Sequence, residues 1–332
     1  MSAQSHTSAG RTRSWRTTVK SQLYFAIRRL FSQSKRNALK RKLVVSRKRL
    51  SAAYSLIYGH YTAKELVQEL QKRVPADFEI LMVHSSYDQL LPMYLGSPQE
   101  LLNELIKFCG TSRTLAMPAF VLGGRLYDKN EYFRTHVFDV RRTASEMGLL
   151  TEVFRRMPGV MRSLHPTHSI CAFGPHALEL TATHHLASTR TGHGTPFDVM
   201  TRRPTAIVGV GVEYYRCLTQ THTAEDILGD AFPIQFEKVP FPVNLIDSDG
   251  NKLQYNLTIP RTSRQLDNTF LRTLLPEDGL SEWGFRGTPM FATVAGRITE
   301  CLLEAAKSGV TVYRPGSAHV CGPAVRVRAA GD

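Results

Sequence analysis

Two histidines in the segment 163–169 (SLHPTHS) have the side-chain type and the placement needed for acid–base chemistry. Pro166 disfavours a helical conformation for His165, so His165 and His168 are predicted to lie at the start of the apolar strand 169–173. Imidazole titrates near neutral pH, and a histidine at a strand end facing a cleft is suited to act as a general base. A pair of structural histidines held in a turn is the alternative interpretation.

A second group of candidates lies in the segment 221–226 (THTAED), where a histidine precedes two carboxylates. On a helix, His222 and Glu225 are three residues apart and share one face. A carboxylate that faces a histidine of another segment fixes the histidine's tautomer and stabilises its imidazolium form. The same pattern is compatible with an ordinary helix start at the surface.

Small hydroxyl residues follow the first predicted strand. His84, Ser85 and Ser86 come directly after the apolar run 79–83. Groups at the carboxyl end of a strand can present amides and hydroxyls to a phosphate or an oxyanion. The chain lacks the GxxxxGKS/T, HExxH and GxSxG motifs. Their absence argues against the P-loop enzymes, zinc proteases and esterases that carry them.

The elements that must position these residues alternate between strand and helix. Capping boxes at 62–65 (TAKE) and 97–100 (SPQE) predict two helix starts, and a third helix is predicted from Thr143 through Phe154. Further helices are predicted at 175–183, 218–228 and 298–306, strands at 79–83, 114–117, 169–173, 206–210 and 310–313, and a hairpin around Asp249-Gly250. This order predicts an α/β domain.

Charge is distributed unevenly along the chain. It holds 42 Lys and Arg against 28 Asp and Glu, but residues 1–50 contain 14 of the cations and no acid, which leaves 28 of each sign elsewhere. We therefore predict a basic extension at 1–58, disordered or amphipathic, and one folded domain at 59–332. Such an extension can make weak contact with an anionic membrane or another polyanion. The balanced body argues against a globular nucleic-acid-binding domain.

The cysteines bear on the cellular compartment. All five are scattered without CxxC spacing, and their odd number does not favour a disulfide framework, so the sequence predicts a reducing cytoplasm. No run reaches the roughly 18 apolar residues of a membrane span. The Arg-rich and Ser-rich start is also compatible with an organellar transit peptide.

Six segments occur in the same order as in one enzyme family. They are 83–86 (VHSS), 117–120 (MPAF), 138–155 (FDVRRTASEMGLLTEVFR), 162–177 (RSLHPTHSICAFGPHA), 192–197 (GHGTPF) and 222–225 (HTAE). On these motifs the chain resembles the aminoglycoside 3-N-acetyltransferase family, the antibiotic N-acetyltransferases. The resemblance runs from about Tyr61 to the end and is densest before Asp230. Thr195 stands where the family commonly has Ser, a change that keeps the hydroxyl.

The resemblance implies a single α/β domain with a mixed central sheet flanked by helices, unlike the GCN5-type acetyltransferases. It implies transfer of an acetyl group from acetyl-CoA to a primary amine, the 3-amino group of an aminoglycoside aminocyclitol, without a metal. Carried onto this sequence, His168 is the general base and Glu225 the carboxylate that orients it. The implied coenzyme residues are His84, Ser85, Ser86, Thr143, Ser145 and Gly148. The implied acceptor-site residues are His222, Asp226 and Glu213.

The identity of the acceptor stays open at this point. Aminoglycosides carry several positive charges, whereas the body of this chain is electroneutral, so an anionic cleft must be local. Its candidate carboxylates are Glu213, Glu225, Asp226, Asp230 and Glu237. An amino sugar of glycan or secondary-metabolite synthesis is the alternative acceptor.

Two other functional classes remain possible from the residues alone. One is a non-catalytic protein that binds through its basic extension. The other is a metal-dependent hydrolase built on His165 and His168, with His184 or His185 as a further ligand, although no ligand spacing supports it.

Overall fold

The computed structural model describes residues 50–123 and 129–314 of the 332-residue chain. Its strands, in chain order, are β1 (Ile80–Ser85), β2 (Thr114–Pro118), β3 (Phe138–Asp139), β4 (Met161–Arg162), β5 (Ile170–Phe173), β6 (Thr205–Val210), β7 (Pro240–Ile246), β8 (Lys252–Thr258), β9 (Gln265–Leu266), β10 (Leu280–Phe285), β11 (Thr288–Val294) and β12 (Tyr313–Arg314). Most of the predicted basic extension, and Cys321, lie outside the described residues.

Seven strands form a mixed central sheet in the order β10–β11–β6–β1–β2–β5–β4. At its centre β1 pairs in parallel with β2 and with β6, whereas β5 and β11 run antiparallel to their neighbours β2 and β6. The carboxyl ends of β1, β2 and β6 therefore lie side by side. This edge is where parallel α/β sheets commonly bind ligands.

The central strand β1 is an uninterrupted apolar run because both of its faces are buried. Leu81 and Val83 belong to one hydrophobic cluster, here cluster A. Ile80 and Met82 belong to a second, cluster B, on the opposite face of the sheet. Alternate side chains of a strand point to opposite faces, so the strand joins the two halves of the core.

Helices cover both faces of this sheet. In chain order they are α1 (Ser51–Tyr58), α2 (Ala63–Gln71), α3 (Pro98–Cys109), α4 (Lys129–Thr135), α5 (Leu149–Phe154), α6 (Ala177–Thr181), α7 (Pro196–Arg202), α8 (Tyr214–Cys217), α9 (Thr223–Leu228), α10 (Leu271–Leu274) and α11 (Ala295–Lys307). Helices α2, α3 and α5 bury apolar residues in cluster A, and α6, α7 and α11 bury theirs in cluster B. The predicted α/β class with a mixed sheet flanked by helices is confirmed.

Both predicted capping boxes are present. At the start of α2 the Thr62 hydroxyl accepts the amide of Glu65, and the Glu65 carboxylate accepts the amide of Thr62. Ser97 and Glu100 make the same reciprocal pair at the start of α3. Each box satisfies two amides that a helix start leaves without partners.

Two smaller sheets pack beside the central one. The predicted hairpin is formed by β7 and β8, and β3 joins β7 in parallel, whereas β9 and β12 form a two-stranded pair. A third apolar cluster joins Phe133 of α4 and Phe241 of β7 to Leu164 of the histidine segment. The hairpin sheet therefore packs directly on the segment that carries the candidate histidines.

Three parts of the element prediction differ from the structure. The strand predicted at 310–313 forms only over Tyr313–Arg314. The helix predicted from Thr143 begins only at Leu149, because Gly148 adopts φ +102°, which a right-handed helix cannot accommodate. The hairpin β10–β11 was not predicted, and it occupies one edge of the central sheet beside β6. Gly284 in β10 and Pro289 in β11 weaken the sequence signal for strands.

The start of the packed part lies before the predicted boundary. Helix α1 precedes residue 59, and its Tyr54 packs against cluster A. In the described part of the chain, no helix combines the length and apolar character required to cross a bilayer. Cys109, Cys171, Cys217 and Cys301 are present as thiols.

Candidate active site

The histidine segment lies at the edge formed by the carboxyl ends of the parallel strands. Because β5 runs antiparallel to β2, with Ile170 opposite Pro118, the residues just before β5 lie beside the end of β2. The His168 ring is accordingly 4.8 Å from the ring of Phe120, centroid to centroid. The predicted location of His168 at a strand start is therefore correct.

His165 is a structural histidine that holds the turn carrying His168. Its Nδ1 accepts the amides of Thr167 (3.2 Å) and His168 (3.0 Å), so this nitrogen carries no proton. The ring is buried and stacks on His184 at 4.4 Å. Burial, followed by the proximity of His184 and Arg190, lowers the pKa of His165 well below its usual value. His165 thus positions the segment as a neutral imidazole.

His184 extends this support to the next loop. Its Nε2 lies 3.1 Å from the carbonyl oxygen of Arg190, which can only accept, so Nε2 carries the proton. Its Nδ1 then accepts the hydroxyl of Ser163 at 2.9 Å. Burial lowers the pKa of His184 to about 3. The backbone at Arg190 is therefore anchored to the histidine segment.

His168 itself is half-buried and neutral. Its Nδ1 lies 2.8 Å from the hydroxyl of Thr167. Burial, followed by the charge of Arg190 and by His165 and His222, lowers the pKa of His168 well below its usual value. A neutral imidazole can accept a proton, but this environment makes His168 a weak base.

Glu225 lies at the centre of the second cluster, in the first turn of α9. Its Oε1 accepts hydrogen bonds from Nδ1 of His222 (2.6 Å) and Nη2 of Arg190 (2.6 Å), and its Oε2 accepts the Tyr313 hydroxyl (2.5 Å). Burial alone would raise the pKa of Glu225, but His222, Arg190 and Tyr313 together lower it to about 2. Among the described residues, none of its hydrogen bonds goes to His168, so the expected direct pairing does not occur.

The structure instead pairs Glu225 with His222, its neighbour three positions earlier. The ionised carboxylate can only accept, so Nδ1 of His222 carries the proton and Nε2 is the basic nitrogen. That Nε2 has no hydrogen-bond partner within the described residues, and 19% of the side chain is exposed. A carboxylate on one imidazole nitrogen with the other nitrogen accessible is the arrangement of a general base.

The other two implied acceptor-site residues have different surroundings. The Asp226 side chain is 7% exposed and accepts both the amide (2.9 Å) and the hydroxyl (2.6 Å) of Thr191, so it fixes the loop that carries Arg190. Glu213 is partly exposed just before α8, 3.4 Å from Arg216.

The first group of implied coenzyme residues lies at the end of β1. His84 is buried on the cluster B face of the strand, and burial lowers its pKa to about 4. Ser85 is the last residue of the strand, and the amide of Ser86 donates to the carbonyl of Val210 at 2.9 Å. These three residues lie beside the ends of both neighbouring parallel strands.

The second group lies in the loop 143–148, at the same sheet edge. The amide of Glu146 donates to the carbonyl of Phe120, which follows β2. The Thr143 hydroxyl accepts the amide of Asp139 (2.9 Å), and the Ser145 hydroxyl accepts an amide within the loop. Thr143 and Ser145 therefore shape the loop, and Gly148 supplies its positive φ.

Arg190 and Tyr313 are site residues that the sequence analysis did not identify. They lie 35 and 88 positions from Glu225. Arg190 follows a threonine in a polar loop, and Tyr313 was placed only as the end of a strand, so neither position carries a local signal. In residues 50–123 and 129–314, no group of three or more His, Cys, Asp or Glu is arranged to hold a metal ion.

The chain has identifiable relatives in sequence. A model of the aminoglycoside 3-N-acetyltransferase family matches residues 82–278. Aminoglycoside N(3)-acetyltransferase III from Salmonella is 30% identical over 152 residues, which are 43% of this chain and 52% of that protein. The match thus spans about half the length of this curated relative.

Solved structures share the fold at lower identity. Aminoglycoside acetyltransferase AAC(3)-Xa superposes with a TM-score of 0.63 and 20% identity, over 80% of this chain and 99% of that one. AAC-VIa bound to sisomicin superposes with a TM-score of 0.60 and 20% identity, over 75% of this chain and 98% of that one. The binary complex of AAC-IIIb with CoASH superposes with a TM-score of 0.58 and 19% identity, over 77% of this chain and 100% of that one. Because the family model covers more than half of the chain, the chain belongs to the aminoglycoside 3-N-acetyltransferase family.

Proposed function

We propose that this protein transfers the acetyl group of acetyl-CoA to a primary amine of an aminocyclitol or amino sugar. The observation that carries this proposal is the His222–Glu225 pair, with 2.6 Å between Nδ1 and Oε1 and with Nε2 accessible. The pair lies in a chain of the aminoglycoside 3-N-acetyltransferase family. The CoASH complex of AAC-IIIb and the sisomicin complex of AAC-VIa support the two substrate classes.

The chemistry requires a base because an ammonium group is not a nucleophile. In the proposed reaction, the ammonium group first loses one proton to solvent, and Nε2 of His222 takes a second proton as the amine nitrogen attacks the thioester carbonyl. The N–C bond forms, the tetrahedral intermediate collapses, and the C–S bond breaks to release the coenzyme thiolate. The proton on His222 returns to the thiolate or to solvent. Glu225 stabilises the imidazolium in between.

His168 is the second candidate for the base, as the family resemblance implies. Its position at the sheet edge supports a contact with substrate, but the carboxylate that would strengthen it as a base lies on His222. We therefore assign proton removal to His222 and a positioning role to His168. For the coenzyme we propose the neighbouring segments 84–86 and 143–148, both at the carboxyl edge of the sheet.

The test is a panel of amines with acetyl-CoA, followed by thiol release. We expect turnover of at least one aminoglycoside or amino sugar, and His222→Asn should lower kcat by about 10²-fold or more with acetyl-CoA affinity retained. His168→Asn should cost less than about tenfold if it only positions substrate. His176→Asn is the control, because His176 contacts Glu79 and Glu179 before β1 and in α6.

Two outcomes would contradict the proposal. If no amine releases thiol, the protein is not an acetyltransferase of this type. If His222→Asn keeps full activity while His168→Asn loses it, the base is His168, as the family resemblance implied.

A further inference from the structure

We infer that Arg162 is a positioning residue that holds the loop 143–148, here the coenzyme loop, against the histidine segment 163–169. Its guanidinium contacts the backbone and a serine hydroxyl of these segments, so it acts through them on the bound coenzyme. This inference rests on the proposed function, because it concerns the coenzyme at the same site.

The guanidinium of Arg162 donates from three different nitrogens to three separate segments of the chain. Its Nη1 donates to the carbonyl of Thr143 (2.5 Å), at the start of the coenzyme loop. Its Nη2 donates to the carbonyl of Ala119 (2.7 Å), which directly follows β2. Its Nε donates to the hydroxyl of Ser169 (3.0 Å), the residue after His168. One side chain therefore joins the coenzyme loop, the end of β2 and the histidine segment.

Two further contacts fix the orientation of this guanidinium. The Ser169 hydroxyl, which accepts from Arg162, itself donates to the carbonyl of Ala119 at 2.7 Å. The guanidinium carbon of Arg162 lies 4.9 Å from the centroid of the Phe138 ring, which belongs to the third apolar cluster. A guanidinium is planar, so stacking on its face and hydrogen bonds along its edge together define its position.

The hydrogen-bond partners of this half-buried cation are neutral. Among the described residues, Arg162 donates only to carbonyl and hydroxyl oxygens. Burial, the largest effect, lowers the pKa of Arg162 to about 10, so the group is still charged at neutral pH. Its desolvation cost is not offset by a hydrogen-bonded carboxylate. Retention of an arginine under these conditions indicates that the fork of donors serves the site.

The charge around the coenzyme loop suits an anionic coenzyme. Residues 138–162, which contain the loop and Arg162, include five arginines and three carboxylates, an excess of two cations. Coenzyme A carries its negative charge on phosphate groups, which arginine-rich surfaces attract. The loop that Arg162 holds in place therefore lies in a positively charged stretch of the chain.

The coenzyme loop is also attached to α5, independently of Arg162. Arg155, which follows α5, donates from Nη1 to the carbonyl of Arg141 at 2.5 Å. Glu152 in α5 accepts the amide of Ser145 at 2.8 Å. Neither contact reaches the histidine segment. Loss of Arg162 should therefore release the loop from the histidine segment while its attachment to the helix remains.

The experiment removes the donors of Arg162 and measures the two substrates separately. Arg162→Met keeps a long side chain without donors, and Arg162→Lys keeps the charge but places all donors on one nitrogen. In Arg162→Met we expect the KM for acetyl-CoA and the Kd of CoASH to rise about tenfold, because the loop is no longer preorganised. Arg162→Lys should show a smaller rise, of about threefold, and the KM for the amine should stay within about twofold of native in both variants.

A general structural role for Arg162 would change different quantities. It would lower the fraction of folded enzyme, and hence kcat, while both KM values and the Kd of CoASH stayed in place. Amide hydrogen exchange provides a second readout. In Arg162→Met, exchange should be faster in the coenzyme loop, whereas the amides of α3 should keep their native rates.

Arg113→Met is the matched control, because Arg113 also packs on a phenylalanine ring and donates to a backbone carbonyl. Its guanidinium carbon lies 4.4 Å from the centroid of Phe78, and its Nη2 donates to the carbonyl of Ala76 at 2.8 Å. Arg113 directly precedes β2, so it lies at the opposite edge of the sheet from the site. Both KM values and the Kd of CoASH should be unchanged in this variant.

Calorimetric binding of CoASH without an acceptor separates this inference from the proposed function. If no amine is acetylated but CoASH binds about tenfold more weakly to Arg162→Met, the role of Arg162 holds and the transferase assignment fails. If amines are acetylated and Arg162→Met changes neither the Kd of CoASH nor the KM for acetyl-CoA, the transferase assignment holds and the role of Arg162 fails. If Arg162→Met does not fold, an unchanged Kd in Arg162→Lys overturns the inference. An equal loss of affinity in Arg113→Met, or a native protein that does not bind CoASH, also overturns it.

Discussion

Glu225 keeps its negative charge in a buried position because three donors surround it. Transfer of a carboxylate out of water would favour its neutral form, yet hydrogen bonds from His222, Arg190 and Tyr313 lower its pKa to about 2. The carboxylate is therefore ionised throughout the pH range in which an amine can be acetylated. This makes Glu225 a constant electrostatic partner of the imidazole rather than a group that exchanges protons.

Replacing Glu225 by Gln tests this role, because the shape is kept and the charge is lost. We expect kcat to fall by about 10- to 10³-fold while the fold survives. The acidic limb of the kcat/KM profile should move to lower pH, since an imidazole without its carboxylate is harder to protonate. If Glu225 only gripped a cationic acceptor, KM would rise while kcat and the limb stayed in place. The measurement is the pH dependence of both parameters for this variant.

The contacts of the site that could be predicted from the sequence are those between residues close together in the chain. The three-residue spacing of His222 and Glu225 predicted a shared helix face, and the two side chains do meet. The assignment of Glu225 to His168 failed because it required a contact between separate segments, for which spacing gives no information. Arg190 and Tyr313 were missed for the same reason.

At the scale of elements, the short strand β12 completes the site from the C-terminal side. It pairs with β9, and its Tyr313 donates a hydrogen bond to Glu225 while its ring lies 5.7 Å from that of Phe236. Burial and the charge of Glu225 raise the pKa of the Tyr313 phenol, so the hydroxyl remains a donor. The strand therefore links the C-terminal part of the described chain to Glu225.

Tyr313→Phe removes this donor but keeps the aromatic packing. An oxygen of Glu225 is then left buried without its partner, and we expect a loss of about 1–3 kcal/mol in the free energy of unfolding. Turnover should fall a fewfold, because one of the groups that keeps Glu225 ionised is absent. Urea unfolding and steady-state kinetics measure the two effects. The control is Tyr255→Phe, which removes only a 3.3 Å bond to the carbonyl of Ala187. Equal stability of Tyr313→Phe and native protein would show that the bond contributes nothing.

Helix starts were the most predictable elements because their signals are local. The Thr62–Glu65 and Ser97–Glu100 boxes act within four residues, and both are present. The start of α5 was misplaced because Thr143 and Glu146 have the spacing of a capping box, whereas Gly148 breaks the helix. The edge hairpin β10–β11 depends on pairing with β6, some 80 residues earlier in the chain, and such pairing leaves no local pattern.

At the scale of the whole molecule, three buried histidines and the half-buried His168 are neutral. Burial lowers the pKa of His84 to about 4 and that of His184 to about 3, and it lowers the pKa values of His165 and His168 well below their usual range. In the unfolded chain these groups bind protons near pH 6.5. Protonation below that pH therefore favours the unfolded state.

One partly buried carboxylate acts in the opposite direction. Burial raises the pKa of Glu282 to about 7, so between pH 7 and its unfolded value near 4.5 the folded state retains a proton that the unfolded state loses. Between about pH 6.5 and 4.5, unfolding lets four histidines take up a proton each and makes Glu282 release one. The net uptake on unfolding is therefore about three protons. The sign of the pH dependence is thus set by the histidines.

We therefore predict that the free energy of unfolding falls as the pH is lowered from 7 to 5, by up to about 4 kcal/mol per pH unit below pH 6.5. Below about pH 4.5 the unfolded chain also protonates Glu225, whose pKa in the folded state is about 2. The free energy of unfolding should therefore fall further. Urea unfolding at intervals between pH 5 and 8 measures the slope. His84→Leu should reduce that slope by the amount that one proton contributes, because it replaces one buried histidine with an apolar side chain. Replacement of the exposed His193 should leave the slope unchanged. A stability that is flat or rises toward pH 5 would mean that these histidines become protonated within the folded protein.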